Sequence, residues 1–275
     1  MISVTAGDTS YSLETESVKS LLEFPLNTLL AGVRAEFYPA EEELHDWRYM
    51  LRARINVANP LGLMQDHDWF KSGSSPDIKF SYTESDPTLT FVDSEAKASI
   101  TVHDGAHLRL RLFGAYTFQL MHQNIDNYTG WQYQLNSSET AYDLYTISES
   151  GTPVLEYLVQ YHRPCVGLMS SWTVVTHFSL DIGGRAEGVY MRDYDDHKLR
   201  NKRSEAVGIG IGARGTLRLR WTLKREEESR VMPYVTLGLR SSNLYVPAVG
   251  TQTWYGDDPA TPNEEDEGTK ITGLD

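Results

Sequence analysis

Residues 107–120 read HLRLRLFGAYTFQL, and this stretch decides the fold class. Its even-numbered positions carry mainly leucine and aromatic side chains, whereas its odd-numbered positions include arginine, threonine and glutamine. Successive side chains of a β-strand point to opposite faces, so this alternation predicts a strand with one apolar and one polar face. The same period of two recurs in 180–187, 207–211, 216–223 and 235–240, and no stretch has a convincing helical period.

The predicted strands suit a membrane barrel better than a soluble sheet. Several alternate over about ten residues or more, whereas strands of ordinary sheets have about five or six. Their polar faces carry many charged side chains, which a soluble core would not accept unpaired. Strands that are apolar outside and charged inside favour an antiparallel up-and-down transmembrane β-barrel, and the alternative is a soluble β-sandwich. The tryptophans expected in an interfacial girdle near strand ends are Trp47, Trp69, Trp172 and Trp221.

The pattern predicts nine strands in a single domain that spans residues 1–275. They cover 2–13, 18–36, 47–59, 88–103, 107–122, 154–169, 177–195, 204–223 and 231–245. Short turns, at 103–106 and 171–176, alternate with long connections at 60–87, 123–153 and 246–272. Outer-membrane barrels share this alternation and have an even number of strands, so we expect ten. The closing strand is either missing from this sequence or misread.

Composition narrows the partners of the chain. The formal net charge of −13 at pH 7 argues against nucleic acid, whose phosphates need a basic surface. An acidic surface favours cationic partners such as basic peptides, or it serves solubility alone. Cys165 is the single cysteine, which rules out an internal disulfide. Residues 1–5 lack the basic and apolar regions of a signal peptide, so we expect a mature chain.

Two acidic clusters lie at strand ends beside long connections: MQDHDW at 64–69 and RDYDDH at 192–197. In each strand, alternation assigns one set of cluster side chains to the face opposite the apolar residues. The residues predicted to share that polar face are Asp66, Asp68, Asp193, Asp195 and His197. We expect both clusters to meet at one mouth of the barrel. Carboxylates crowded beside an imidazole are costly to hold together, which makes this constellation a candidate site.

The chemistry that these side chains could perform is hydrolysis. Asp195 could orient and charge-stabilise His197, which would act as a general base toward water. Asp66 and Asp68 could hold that water and share a proton. No serine or cysteine has a comparable setting, so direct attack by water is the consistent mechanism. A metal site of Asp66, His67, Asp68 and His197 is the alternative, but His67 would point away from its flanking aspartates, and we expect no metal.

The two motifs resemble those of the omptin family, ten-stranded outer-membrane proteases of Gram-negative bacteria. GLMQDHDW at 62–69 is similar to the family's Asp-x-Asp-Trp segment, and DYDDH at 193–197 to its Asp-x-Asp-x-His segment. YHRPCVGL at 161–168 resembles the family's Pro-Tyr-Ile-Gly-Leu strand, and 94–120 has the rhythm of the hairpin before it. The likeness spans most of the chain, and the ordered pair of motifs is more specific than either motif alone.

The resemblance implies an outer-membrane endopeptidase that cleaves beside basic residues. Its partners would be a basic peptide or protein substrate and outer-membrane lipid. The implied activating dyad is Asp195 and His197, and the implied facing pair is Asp66 and Asp68. Asp193 would be one wall of an acidic specificity pocket that favours lysine or arginine, and Glu14 lies nearest to the position of the family's second pocket acid.

The resemblance departs from the family at the lipid site, and two other functions stay open. Omptins need lipopolysaccharide, bound by an acid and arginines on the outer wall, whereas the matching positions here are Phe118, Leu120 and Gln160. We therefore expect no cofactor, and expect lipopolysaccharide activation to be lost or met by other residues. The rivals are a non-enzymatic barrel serving as an adhesin or binding surface, and a small porin. The arginines that could line a pore are Arg48, Arg52, Arg54, Arg109 and Arg111, although ten strands leave little lumen.

Overall fold

The computed structural model describes residues 2–4, 8–14, 16–37, 39, 46–71, 76–136, 138, 141–175, 177–222, 234–255 and 270–272. These residues form one antiparallel sheet of fifteen strands. The strands are β1 (Ile2–Val4), β2 (Asp8–Glu14), β3 (Val18–Pro25), β4 (Leu29–Phe37), β5 (Trp47–Asn56), β6 (Met64–Phe70), β7 (Ile78–Ser85), β8 (Pro87–Asp104), β9 (Leu108–Leu135), β10 (Tyr142–Val175), β11 (Phe178–His197), β12 (Lys202–Thr222), β13 (Tyr234–Tyr245), β14 (Ala248–Trp254) and β15 (Lys270–Thr272). Among the described residues, no helix is long and apolar enough to cross a membrane.

The sheet is an up-and-down β-barrel of ten long ribbons, as expected. At one end the pairing order is β1–β4–β5–β8–β9–β10–β11–β12, and at the other end it is β2–β3–β6–β7–β9. Five ribbons are therefore interrupted into two segments each, for example β5 with β6 and β7 with β8. The tenth ribbon is β15, whose Ile271 pairs with Gln252 of β14. The closing strand is therefore present in this sequence, at a segment that the period of two did not mark as a strand.

The strands extend well beyond the predicted ends, so the three long connections are wrong in part. Residues 60–87 contain β6 and β7, and 123–153 is largely the hairpin of β9 and β10. In the third connection, 246–272, β14 and β15 are strands, and 256–269 lie outside the described residues. The physical reason is that the added segments rise above the apolar band, where no lipid-facing side enforces an apolar–polar alternation.

The outer wall carries the predicted apolar band. Outward side chains such as Leu112, Ile182 and Ile209 are 51%, 47% and 75% exposed, and soluble proteins rarely expose a contiguous apolar surface of this kind. Such a band is the surface that a bilayer covers. On β11 it ends at Tyr190, because the next outward residue is Arg192. Residues beyond this level lie above the band, at the end opposite to the short turns.

The lower lumen is filled by charged side chains that neutralise one another. Arg52 binds Asp93 at 2.8 Å, Arg163 binds Glu187 at 2.6 Å and Arg185 binds Glu95 at 2.7 Å. These groups are almost fully buried, so each charge needs its partner. Of the arginines considered as pore lining, Arg54 also binds Asp93 and Arg109 binds Asp104. The described lumen is packed, which speaks against the porin interpretation.

An apolar layer closes the lumen above this charge network. Phe24 stacks on Tyr157 with ring centroids 4.5 Å apart, and Met121 and Ile125 are buried beside them. Along the inner face of β11 the order is Glu187, then two apolar residues, then the acidic cluster. The layer therefore forms a floor on which the acidic mouth rests.

Candidate active site

Asp195 and His197 occupy successive inward positions at the upper end of β11. His197 Nε2 donates a hydrogen bond to Asp195 Oδ2 at 3.0 Å. Asp195 is 3% exposed, and its Oδ1 is buried without a hydrogen-bond partner among the described residues. Pairing with Tyr157 of β10 and Ser204 of β12 fixes the backbone of Asp195 on both sides. One carboxylate oxygen thus orients the imidazole, and the second is directed into the interior.

Asp193 lies one inward position below the dyad, against the apolar floor. Its Oδ1 accepts a hydrogen bond from the backbone N–H of Ala206 at 2.9 Å, while Oδ2 is buried with no described partner. Burial raises the pKa of Asp193 to about 7, the Ala206 N–H opposes this rise, and the nearby Asp195 adds to it. A buried carboxylate oxygen without a described partner is able to accept a charge-assisted hydrogen bond from a cationic group.

Asp66 and Asp68 face the same interior from β6, which pairs with β3 and β7. Oδ1 of Asp66 is buried and has no hydrogen-bond partner in the described part of the chain. Burial, the charge of Asp68 and the charge of Asp195 raise the pKa of Asp66 to about 8. Asp195 of β11 and Asp66 of β6 are thus close enough to interact electrostatically, although they lie on different strands. The two clusters therefore face one opening, whereas the roles assigned to their members stay predictions.

His67 lies between these two aspartates in sequence but points to the outer face. There its Nε2 lies 3.2 Å from Glu23 Oε2, its Nδ1 lies 2.6 Å from Lys79 Nζ, and its ring stacks on Trp69. Among the described residues, no group of three or more histidine, cysteine or acidic side chains is arranged to hold a metal ion. The geometry thus separates His67 from the residues with which a metal site would need it to converge.

The side chain of Glu14 forms an ion pair with Lys71. It lies at the tip of β2, its side chain is half exposed, and its Oε1 binds Lys71 Nζ at 2.8 Å. The hydrogen bond from Lys71 lowers the pKa of Glu14. No described contact links Glu14 to Asp193, so the expectation that it forms the second pocket wall has no support in the geometry. The sequence could not reveal the competing lysine, which is remote along the chain.

Comparison with known proteins identifies the fold. No family model matches this sequence, and no curated protein matches it. A solved structure that matches is the outer membrane protease OmpT from Escherichia coli, at 13% sequence identity and a TM-score of 0.72. The match covers 99% of this chain and 88% of that chain. The fold is an omptin-like outer-membrane barrel.

The turn after His197 supplies residues that sequence reasoning missed in the omptin-like barrel. Lys198–Arg200 form a 3₁₀ turn, closed by Asn201 at φ 49° and ψ 37°, a left-handed conformation that asparagine tolerates. The tight turn returns the chain so that Lys202 pairs with His197. Arg200 and Lys202 both lower the pKa of Asp66, so both act on the site. In the sequence, the basic run 198–203 was the signal that could have indicated these residues, but the turn decides which of its side chains face the site.

The three positions that differ from the family's lipid site, Phe118, Leu120 and Gln160, lie close together on the outer wall of the omptin-like barrel. Gln160 pairs with Leu120, and Phe118 pairs with His162 on the same two strands. His162 contacts Phe118 at 5.3 Å and Tyr190 at 5.8 Å between ring centroids. This part of the wall thus combines aromatic and apolar side chains with Gln160, His162 and Arg192, the ladder partner of Gln160, where the family resemblance implied an acid and arginines.

Proposed function

We propose that the omptin-like barrel is an outer-membrane endopeptidase that hydrolyses peptide bonds beside basic residues. The observation that carries this proposal is the Asp195–His197 hydrogen bond facing Asp66 and Asp68 across one mouth. Its location would be the outer membrane of a Gram-negative cell, with lipid against the apolar band. Its substrate would be a basic peptide or protein, drawn by the acidic mouth.

In the proposed reaction, His197 is the general base and then the general acid. With one ring nitrogen held by Asp195, the other takes a proton from a water, whose oxygen attacks the peptide carbonyl carbon. The carbonyl π electrons move to oxygen and give a tetrahedral intermediate. When the carbon–nitrogen bond breaks, His197 returns the proton to the leaving amine. Asp66, whose pKa burial raises to about 8, and Asp68 position the water.

Asp193 would bind the basic side chain beside the cleaved bond. Its Oδ2, which is buried without a described hydrogen-bond partner, lies one inward position from Asp195, so a bound guanidinium or ammonium would bring its own peptide bond toward the dyad. A cation there also favours the ionised carboxylate, which offsets the effect of burial.

The decisive experiment is turnover of a dibasic fluorogenic peptide by the full-length, detergent-refolded protein, with and without lipopolysaccharide. His197→Ala should abolish turnover, and Asp195→Asn should reduce it steeply, because the imidazole loses its orientation. His103→Ala is the matched control, since His103 is exposed at the opposite end of the barrel. Equal turnover in the wild type and His197→Ala would rule out the proposed mechanism.

A non-enzymatic binding role is the second candidate, favoured by the tip of the β9–β10 hairpin. Apolar and aromatic side chains above the membrane band are exposed there, including Leu135 at 52%, Tyr142 at 57% and Leu144 at 59%. Exposed aromatic clusters often mark contact surfaces. If this were the function, cell-surface adhesion would depend on Tyr142 and Leu144 and would be unaffected by His197→Ala.

A further inference from the structure

Lys202 stands next to the proposed general base on the inner face. It is the direct partner of His197 in the β11–β12 ladder, and side chains paired in this way have Cβ atoms about 4.5–5.5 Å apart. On β12 the inward positions alternate from Lys202 to Ser204 and Ala206, and the latter two are buried. The lysine side chain therefore begins beside the imidazole and points into the mouth.

The charges around Lys202 come from both sides of the mouth. Asp195 on β11 and Asp66 and Asp68 on β6 all interact electrostatically with its ammonium group, whereas burial and the adjacent Arg200 lower its pKa. The other lysine of this turn behaves differently. Lys198 forms ion pairs on the outer face, at 2.5 Å with Asp196 and 3.1 Å with Glu156. Lys202 thus interacts with acids of both clusters, and among the cations of this turn it is the one that pairs directly with His197.

We infer that the Lys202 ammonium group binds and stabilises the oxyanion of the tetrahedral intermediate. This inference rests on the proposed peptidase function. Attack by water transfers the carbonyl π electrons to oxygen, so a full negative charge develops in a mouth that already holds several carboxylates. Those carboxylates repel the new charge, and a neighbouring ammonium group offsets the repulsion without a change in its own covalent bonds. When the intermediate collapses, the electron pair of the oxyanion re-forms the C=O π bond, and the C–N bonding pair leaves with the nitrogen, which takes up the proton from His197. The negative charge on oxygen is thereby lost, which frees the ammonium group.

The test compares the wild type with Lys202→Met, Lys202→Gln and Lys202→Arg, each checked for folding by heat-dependent gel migration. Removing one oxyanion donor typically lowers kcat by about 10²–10³-fold, and we expect this loss for Met and Gln with KM little changed. Arginine keeps the charge and should restore part of kcat. Lys19→Met is the control, because Lys19 lies over Trp69 on the outer face.

Binding of two inert peptides distinguishes the oxyanion role from simple substrate binding. A phosphonate peptide carries a tetrahedral anion, and a reduced-amide peptide of the same sequence does not. Lys202→Met should weaken phosphonate binding by about 10²-fold or more and leave reduced-amide binding unchanged. Equal weakening of both would overturn the inference, since Lys202 would then bind the ground state.

The remaining outcomes separate this inference from the proposed function. If the wild type cleaves and His197→Ala does not, but Lys202→Met retains kcat and phosphonate affinity, the oxyanion role alone is refuted. If the wild type cleaves no basic peptide, the peptidase function fails and the inference fails with it.

Discussion

Asp193→Asn should remove the preference for a basic residue at the cleaved bond. Asparagine has the same shape and can still accept the Ala206 N–H, so folding should be preserved. The change removes only the negative charge and replaces one acceptor oxygen with an NH₂ group. Because Asp193 is 3% exposed, the proposed pairing with a substrate cation would take place away from water, where charge pairs are strongest.

The size of the effect follows from this burial. Truncating one partner of a buried, hydrogen-bonded charge pair costs about 2–5 kcal/mol, which is about 30- to 4,000-fold in kcat/KM. The assay compares two peptides that differ only by arginine or its neutral isostere citrulline beside the cleaved bond. Wild type should favour arginine by a factor in this range, and Asp193→Asn should bring the ratio near one. Glu205→Gln is the control: it removes an exposed acid on the outer face of β12, the strand that pairs with β11, and should leave the ratio unchanged.

The pH dependence of the same ratio provides an independent check. Burial raises the pKa of Asp193 to about 7, so the free carboxyl is protonated and cannot pair with a cation below that pH. The arginine preference of the wild type should therefore fall as the pH drops from 8 to 6. An arginine preference that survives Asp193→Asn at pH 8 would refute the assignment of Asp193 as the cation receptor.

Three further changes test other parts of the molecule. Asp66→Asn should raise the thermal unfolding midpoint by an amount that grows from pH 3.8 to about 8. Burial raises the pKa of Asp66 to about 8, so the unfolded chain releases this proton at lower pH than the folded protein and the carboxyl costs stability as the pH rises. A gain in the midpoint that does not depend on pH would contradict this. Asp196→Ala should lower kcat by up to about 10²-fold, because the dyad is displaced, and Asp196→Asn should lower kcat less. Steady-state kinetics check this, and KM should stay unchanged. Glu187→Gln should reduce the unfolding free energy by about 3–5 kcal/mol in urea titrations and leave kcat unchanged, and equal stability would show that the lumen network is dispensable.

The inner and outer faces could be predicted because the period of two is a local property. Asp66 and Asp68 share a face with Arg52 and Arg54 across the intervening Pro60, and the structure keeps that register. Strand length was harder to predict, because above the membrane band both faces of a strand meet water or polar side chains. Segments such as 123–135 and 142–153 then lose the alternation that marks a strand.

Contacts across the barrel could not be predicted, since they depend on which strands pair. Lys202 is directed to the site by a turn of four residues, 198–201, and the acids that interact with it come from β6 as well as from β11. Glu14 was placed near the pocket by its position in the first ribbon, but Lys71, which is distant in sequence, binds it outside. Long-range charge pairing thus decides which acids are available to a substrate.

The Asp195–His197 dyad is held in place from the outer face of β11, opposite the proposed site. Asp196 lies between Asp195 and His197 and points outward, where it is 1% exposed despite being on the outer face. It accepts hydrogen bonds from Lys198 at 2.5 Å, Tyr255 at 2.7 Å and Tyr194 at 3.2 Å. Because alternate residues of one strand share a backbone, anchoring Asp196 restrains both neighbours and the turn that presents Lys202. In the proposed reaction the imidazole of His197 meets a water, a carbonyl and a carboxylate at once, and such restraint would favour it, since small displacements cost large factors in rate.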